Sequence, residues 1–198
     1  LLFARVGHPH CPNCGREIAS QSIDQIVGHI MEELSQKAAA EPTRMMLLSP
    51  VVRDRKGEFY QLLEGLRKQG YSRVRIDKVV YSLDEDVTLI KTNRHTIEVV
   101  VDRLTVSNVQ LQDETERKSI RSRLAQSVET ALKLADGFVV TSFVNDPGFT
   151  FPDKPTAFED RLFSEKLACS HCGISIAELE PRLFSFNSPH GACPTCNG

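Results

Sequence analysis

Six cysteines are the residues with the clearest chemistry in this chain, because all of them fall in Cys-x-x-Cys pairs. Two intervening residues allow both thiolates of a pair to face one tetrahedral metal ion. A secreted disulfide scaffold would scatter its cysteines and hold more of them per residue, so this arrangement indicates a reducing compartment and predicts a cytoplasmic protein. The pairs are Cys11/Cys14, Cys169/Cys172 and Cys193/Cys196.

The two late pairs form the strongest predicted site. Twenty residues separate Cys172 from Cys193, a spacing that closely matches zinc sites built from four thiolates. Such a closed site leaves no coordination position open for water, so the predicted zinc has a structural role rather than a catalytic one. Redox pairs or plain buried thiols are the less favoured alternative for Cys169, Cys172, Cys193 and Cys196.

The early pair, Cys11/Cys14, has no second Cys-x-x-Cys pair nearby in the sequence. His10 or His8 could supply a third ligand, although a histidine so close to Cys11 is sterically crowded. A fourth ligand would come from elsewhere in the fold or from residues before this chain. A mixed Cys/His metal site and an empty half-site stay open as equal alternatives.

Catalytic motifs are absent from the sequence. It contains no Gly-x-x-x-x-Gly-Lys-Ser/Thr phosphate loop, no Gly-x-Ser-x-Gly elbow and no His-Glu-x-x-His helix. The acidic run at 84–86 is predicted to be a solvated turn, and His95 a surface or capping residue. We therefore expect no catalytic residues, and no chemistry carried out by this chain alone.

The composition of the chain excludes several classes of protein. The chain has 198 residues, with 24 Lys and Arg against 26 Asp and Glu, and its net charge of -2 excludes a polybasic nucleic-acid-binding protein. A hydrophobic fraction of 40% is typical of a folded globular chain, and no apolar run is long enough to cross a membrane. The first residues lack a basic segment and an initiator Met, which indicates an internal cut of a longer protein rather than a signal peptide.

Arginines on predicted strands are the second candidate site. Strand alternation places Arg73 and Arg75 together, on the face opposite the apolar residues of their strand. On a later strand, an apolar face that ends in Arg103 is shared by Ile97, Val99 and Val101. These side chains are therefore predicted to be spared from core packing.

The local charge supports two interpretations of these arginines. Residues 53–78 hold eight basic and four acidic side chains. An ordinary solvated sheet face accounts for this excess of positive charge as well as a binding site does. The functional interpretation is a protein-docking patch, because guanidinium groups bind carboxylates through two parallel hydrogen bonds. A nucleic-acid surface is less favoured, since Tyr71 is the one aromatic residue at 68–80, around Arg73 and Arg75.

An α+β body must position these residues. Ser22 with Gln25 predicts a capping box that begins a helix at 23–36. Two further helices are predicted, one ending at Gly70 and one, at about 117–136, ending at Gly137. Strands are predicted at 44–52, at 71–83 as a pair around Asp77 and Lys78, at 96–106 and at 138–144, with a loop at 145–158.

The predicted architecture is therefore α+β: a small sheet with about three packed helices, flanked by cysteine-rich zinc-module segments. Residues 1–20 and 151–198 are assigned to the cysteine-rich segments, and residues 21–150 to the body. Pro50 interrupts the first predicted strand, which favours an edge or a bend there.

Several segments in this order resemble the UvrA family, the damage-recognition ATPases of bacterial nucleotide excision repair. The resemblance covers nearly the whole chain, and its last motif is highly specific. The segments are LLFARVG at 1–7, RKGE at 55–58, HTIEVVVDR at 95–103, SVETAL at 127–132, ELEPRLFSFN at 178–187 and GACPTC at 191–196.

The resemblance implies that residues of about 16–150 are the domain that binds UvrB, inserted into the first ATPase half of the longer protein. It implies that Arg73 and Arg103 face acidic residues of UvrB, with Arg75 a further candidate. It also implies that the four late cysteines form a structural zinc module. ATP, DNA contacts and homodimerisation belong to the full-length proteins of the family, and no membrane partner is expected.

The expected function is a protein-docking fragment that recruits UvrB to DNA damage in nucleotide excision repair. The alternative is a zinc-dependent nucleic-acid-binding module that contacts DNA directly. A third possibility is a structural role, in which the zinc modules hold two parts of a larger ATPase together. The first two differ in salt dependence, which is shallow for a few ion pairs and steep for phosphate neutralisation.

Overall fold

The computed structural model describes residues 6–18, 20–39, 41–148, 150–167, 169 and 181–185. The chain divides into two compact units, residues 1–21 with 164–198 and residues 22–163. The larger unit combines helices with one antiparallel sheet, so the predicted α+β class is confirmed. No helix among the described residues has the length and apolar character needed to cross a bilayer.

The described residues of the larger unit form four α-helices, against the three or so predicted. Helix α1 begins at the predicted capping box, where Ser22 Oγ accepts the Gln25 amide at 3.3 Å. The unpredicted helix, α3, begins at a second capping box between Ser107 and Gln110, a Ser-x-x-Gln signal that the sequence carries. The helices are α1 (Ile23–Lys37), α2 (Tyr60–Lys68), α3 (Asn108–Gln112) and α4 (Glu114–Leu134).

Six strands form one sheet in the order β3-β2-β4-β1-β5-β6. The predicted strands are all present, and β6 is an addition that continues the sheet past residue 150. The strands are β1 (Thr43–Lys56), β2 (Arg73–Ile76), β3 (Val79–Ser82), β4 (Arg94–Val106), β5 (Phe138–Val144) and β6 (Phe158–Ser164).

Pro50 lies in a strand that is central rather than at the edge. Strand β1 pairs with β4 along most of its length and with β5 only as far as Leu48. Beyond Leu48, one side of β1 has no neighbouring strand. Proline, which has no N–H to donate, is tolerated there.

The sheet has two different faces, and the helices cover one of them. Helices α1 and α4 pack on Met45, Leu47 and Leu104, and α2 packs on the half of this face that holds Val74 and Ile76. The other face, called here the open face, has no helix packed on it among the described residues. Its apolar members are Met46, Leu48, Val80 and Val140, together with the partly buried Phe151, Phe158 and Leu162.

Local turn chemistry agrees with the predictions. Asp77 and Lys78 connect β2 to β3 with φ values of 49° and 71°, the positive values that a tight hairpin turn requires. Gly137 follows α4 with a φ of 87°, and its amide donates to the Leu132 carbonyl at 2.7 Å. This is the predicted glycine stop of the helix.

Candidate docking face and cysteine cluster

A bulge in β4 decides which face of the sheet Arg103 occupies. Leu48 pairs with Val100 but Leu47 pairs with Asp102, so Val101 is an extra residue without a partner on β1. Asp102 consequently turns towards α4, where it accepts hydrogen bonds from Arg123 at 2.6 and 2.9 Å. Uninterrupted alternation along β4 would have put Arg103 on the same face as Val99, as the sequence predicts. That placement of Arg103 is wrong. The bulge moves Arg103 to the open face.

Arg73 and Arg103 therefore come together on the open face. The side chain of Arg73 is 26% exposed, and its Nη2 lies 3.3 Å from a carboxylate oxygen of Asp153. The Arg103 guanidinium carbon lies 5.1 Å from the centroid of the Phe151 ring. Burial and the positive charge of Arg73 lower the pKa of Arg103, while Asp153 acts in the opposite direction. The two arginines are thus close enough to repel each other.

Arg75 differs from Arg73, although the two share a face as predicted. The Arg75 side chain is 0% exposed, and its Nε donates to Glu98 at 2.6 Å. Its two terminal nitrogens donate to the two carboxylate oxygens of Asp160, each at 2.9 Å, and Nη1 also reaches Ser142 at 3.0 Å. This guanidinium has no surface left for a partner, so the structure does not support the interpretation of Arg75 as a docking residue.

The charges around Arg75 balance inside the fold. Burial disfavours ionised Asp160, but hydrogen bonds from Arg75, Lys78 and Ser142 outweigh it and lower the Asp160 pKa to about 2. Burial likewise opposes the Arg75 charge, yet Glu98 and Asp160 raise its pKa overall. A buried ion pair with all its hydrogen bonds made is a structural element of the sheet.

The smaller unit brings three cysteines together. The Sγ atoms of Cys11, Cys14 and Cys169 all lie within 4.8 Å of one another, and Cys11 and Cys169 are almost fully buried. Cys169 thus contacts the early pair, although the sequence spacing assigned it to Cys172, Cys193 and Cys196. Those three cysteines lie outside the described residues, so the site of four late cysteines stays a prediction.

The backbone around the early pair forms a tight turn. The Gly15 amide donates to the Cys11 carbonyl at 2.8 Å, and the Cys11 amide donates to the Arg16 carbonyl at 2.7 Å. This turn places the Cys11 and Cys14 thiols on the same side. His10 is exposed and its Nδ1 lies 2.8 Å from the His8 carbonyl, and it does not belong to the cluster of described ligands.

The three thiols fit a zinc ion. Cys14 Sγ and Cys169 Sγ are 3.5 Å apart, well beyond the disulfide bond length of about 2.05 Å. A tetrahedral zinc ion with Zn–S bonds of about 2.3 Å separates its sulfur atoms by about 3.8 Å, close to the Cys14–Cys169 separation. Cys11, Cys14 and Cys169 would hold three of its four coordination positions, and the soft thiolate set selects zinc over hard cations.

His95 is more deeply placed than the sequence predicts. Its ring is 7% exposed, with Nδ1 2.6 Å from an Asp77 carboxylate oxygen and Nε2 3.0 Å from the Ile90 carbonyl. Two acceptors on one imidazole favour the doubly protonated ring, and the Asp77 hydrogen bond is the larger cause of its raised pKa. His95 links the β2–β3 turn to the segment before β4.

Comparison with known proteins extends these observations. A family model described as "UvrA interaction domain" matches residues 21–145. Proteins named "UvrABC system protein A" from Clostridium perfringens and Bacillus subtilis are each 46% identical to this chain, and one from Methanothermobacter thermautotrophicus is 47% identical. Each match covers 100% of this chain and 18% of the relative, so the chain spans under a fifth of the length of these curated relatives.

Proposed function

This chain belongs to the UvrA interaction domain family, and on that basis we propose that it is a docking module that recruits UvrB during nucleotide excision repair. The observation that carries the proposal is the pairing of Arg73 with Arg103 on the open face. Both guanidinium groups are partly exposed and close to each other, in contrast to the buried Arg75.

The chemistry of the two arginines supports an acidic protein partner. Neither side chain packs in the core of the sheet, and each guanidinium retains donors for a partner's carboxylate. Such charge pairs contribute strongly when they are desolvated at an interface, where truncation of one partner costs roughly 2–5 kcal/mol. Two adjacent arginines would therefore bind two acidic side chains of UvrB.

The alternative of direct DNA binding has less support. Lys78, in the turn after β2, and Lys154, next to Asp153 in the sequence, are engaged with Asp160 and Glu85 respectively. A continuous basic track for a phosphate backbone would need such cations to be unpaired. DNA contacts are better assigned to other parts of the longer proteins in the family.

A titration of UvrB against the fragment tests the docking role. Arg73→Ala and Arg103→Ala should each weaken binding at least tenfold, which corresponds to about 1.4 kcal/mol. The control is Arg117→Ala, which removes an exposed arginine from helix α4, on the opposite side of the sheet. The thermal midpoint of each variant should change little, because exposed charges contribute little to folding.

The salt dependence of these titrations separates the two functions. A few ion pairs to UvrB predict a shallow decrease of affinity between two salt concentrations, and phosphate neutralisation predicts a steep one in a parallel DNA titration. Unchanged UvrB affinity in both folded arginine variants would show that the pair is an ordinary solvated surface. Tight, salt-sensitive DNA binding would favour the alternative.

We also propose that the cysteine cluster holds one structural zinc ion. Cys172 follows Cys169 at Cys-x-x-Cys spacing and is the proposed fourth ligand beside Cys11, Cys14 and Cys169. Cysteines that bind zinc rather than form disulfides suit a reducing compartment and support a cytoplasmic location. ATP binding and homodimerisation are assigned to the rest of the longer protein, and no catalytic role is proposed for this chain.

A further inference from the structure

The segment between β5 and β6 is held at its ends. The Asp146 carboxylate accepts the backbone amides of Thr156 and Ala157 at 3.0 Å and the Thr156 hydroxyl at 2.7 Å. These hydrogen bonds outweigh burial and lower the Asp146 pKa. The carboxylate thereby ties the start of the segment to its end.

The middle of the same segment is fixed from the sheet. Arg44, on β1, is 6% exposed, and its guanidinium donates to the Thr150 carbonyl at 2.8 Å and to the Asp146 carbonyl. A buried guanidinium that donates to two backbone carbonyls determines where the chain runs. The residues that follow Thr150 are therefore delivered to a defined place on the open face.

Phe151 and Asp153 are delivered next to the two docking arginines. The Phe151 ring lies beneath the Arg103 guanidinium, and Asp153 makes one hydrogen bond to Arg73 at 3.3 Å. Phe151 itself packs against the apolar cluster of the open face, so the ring has a fixed position. The Asp153 side chain, in contrast, is 92% exposed.

The two contacts differ in how easily a partner can replace them. An ion pair with a solvent-exposed carboxylate and a single hydrogen bond contributes little to stability. A partner carboxylate that reaches Arg73 through two parallel hydrogen bonds would form a stronger contact at the same guanidinium. The partly buried ring under Arg103 packs against other apolar side chains, and a partner carboxylate would not compete for that contact.

We propose that Asp153 is an internal carboxylate that occupies Arg73 until an acidic segment of the partner protein replaces it, while Phe151 positions Arg103 for that partner. This inference rests on the proposed docking role of Arg73 and Arg103. In the free protein, Asp153 offsets the repulsion between the two guanidinium groups. In the complex, the partner must supply that negative charge, which selects partners with closely spaced carboxylates.

The test is a double-mutant cycle on UvrB affinity with Asp153→Asn, Arg73→Ala and the double variant. Asp153→Asn should bind UvrB two- to fivefold more tightly than the original chain, because the competing charge is gone. In the Arg73→Ala background the same substitution should have no effect. Glu116→Gln is the control, since it removes an exposed carboxylate from α4 and changes the net charge equally.

Phe151 is tested by two substitutions at the same position. Phe151→Leu keeps an apolar side chain but removes the aromatic face, and it should weaken UvrB binding two- to fivefold. Phe151→Tyr keeps the aromatic ring and should bind UvrB as tightly as the original chain. Urea unfolding of both variants checks that a change in affinity does not come from a change in stability.

The outcomes separate the two proposals. An absence of UvrB binding by the original chain refutes the docking function and this inference with it. If the original chain binds UvrB and Asp153→Asn does not bind it more tightly, the proposed replacement of Asp153 is refuted while the docking function stands. The same conclusion follows if Glu116→Gln increases the affinity equally, or if Asp153→Asn still increases it in the Arg73→Ala background. Equal binding by Phe151→Leu and the original chain refutes the positioning role.

Discussion

The guanidinium of Arg75 on β2 pairs through two parallel hydrogen bonds with the carboxylate of Asp160 on β6, at the far edge of the sheet. Three strands separate β2 from β6, so a flat sheet would place them about 19 Å apart. The two side chains together are shorter than this distance, so their contact at 2.9 Å requires a sheet that is twisted and curved towards its open face. The curvature buries the one arginine and leaves its neighbour, Arg73, accessible.

Removal of the Arg75 guanidinium should destabilise the fold. Arg75→Ala leaves the buried carboxylate of Glu98 without a counter-charge and leaves Asp160 with Lys78 alone, and we expect a loss of about 3–5 kcal/mol in the free energy of unfolding. Urea denaturation measures this loss, with Arg73→Ala as a control that changes stability by less than about 1 kcal/mol. Equal stability of the two variants would contradict the buried network.

Acid should destabilise the protein through Asp160. Its pKa is about 2 in the folded state, below the ordinary value of 3.8, so its contribution is complete above the unfolded pKa. That contribution is lost as the pH falls from about 5 towards 2. Urea midpoints measured across this range should decrease less steeply in Asp160→Asn than in the original chain, although the variant is less stable at neutral pH. Parallel curves would argue against a depressed pKa.

His95 should act in the opposite direction. Its pKa is raised in the folded state by Asp77, so its stabilisation is complete below the unfolded pKa of about 6.5. The free energy of unfolding should decrease as the pH rises from about 6.5 through the raised pKa, because one of the two acceptors then loses its donor. His95→Gln should flatten the stability profile over that range. A histidine whose chemical shifts titrate below 6.5 would contradict the interpretation.

Zinc content distinguishes the two possible ligand sets. If Cys11, Cys14 and Cys169 share one zinc ion, Cys11→Ser should reduce the zinc bound by the purified fragment, by elemental analysis. If the four late cysteines form the site, Cys11→Ser should leave zinc unchanged and Cys193→Ser should remove it. Equal zinc loss in both variants would indicate two sites. An original chain that binds no zinc would refute the proposed zinc site.

Much of the fold follows from local sequence signals. The capping residue Ser22, the hairpin turn at Asp77 and the glycine stop at Gly137 act within a few residues of chain, and the structure confirms all three. Their effects are local because hydrogen bonds and permitted φ angles at helix ends and turns depend on adjacent residues. The grouping of Arg73 with Arg75 on one face follows in the same way from strand alternation.

Strand β6 marks the limit of such signals. In Phe158–Ser164 the charged residues Glu159, Asp160 and Arg161 are consecutive, which obscures the alternation of a strand. The segment becomes a strand because β5 offers it a free edge, and Asp160 is stabilised there by Arg75. A partner that is distant in sequence cannot be inferred from the segment itself.

The site depended on tertiary structure for its decisive features. Residue types alone nominate arginines for docking and cysteines for metal, because guanidinium and thiolate chemistry is intrinsic to the side chain. The bulge at Val101 moves Arg103 to the open face, and the coiling of the sheet buries Arg75. Folding also brings Cys169 to Cys14 across 155 positions of chain. Register, curvature and long-range contact arise from packing of the whole chain, and no local pattern encodes them.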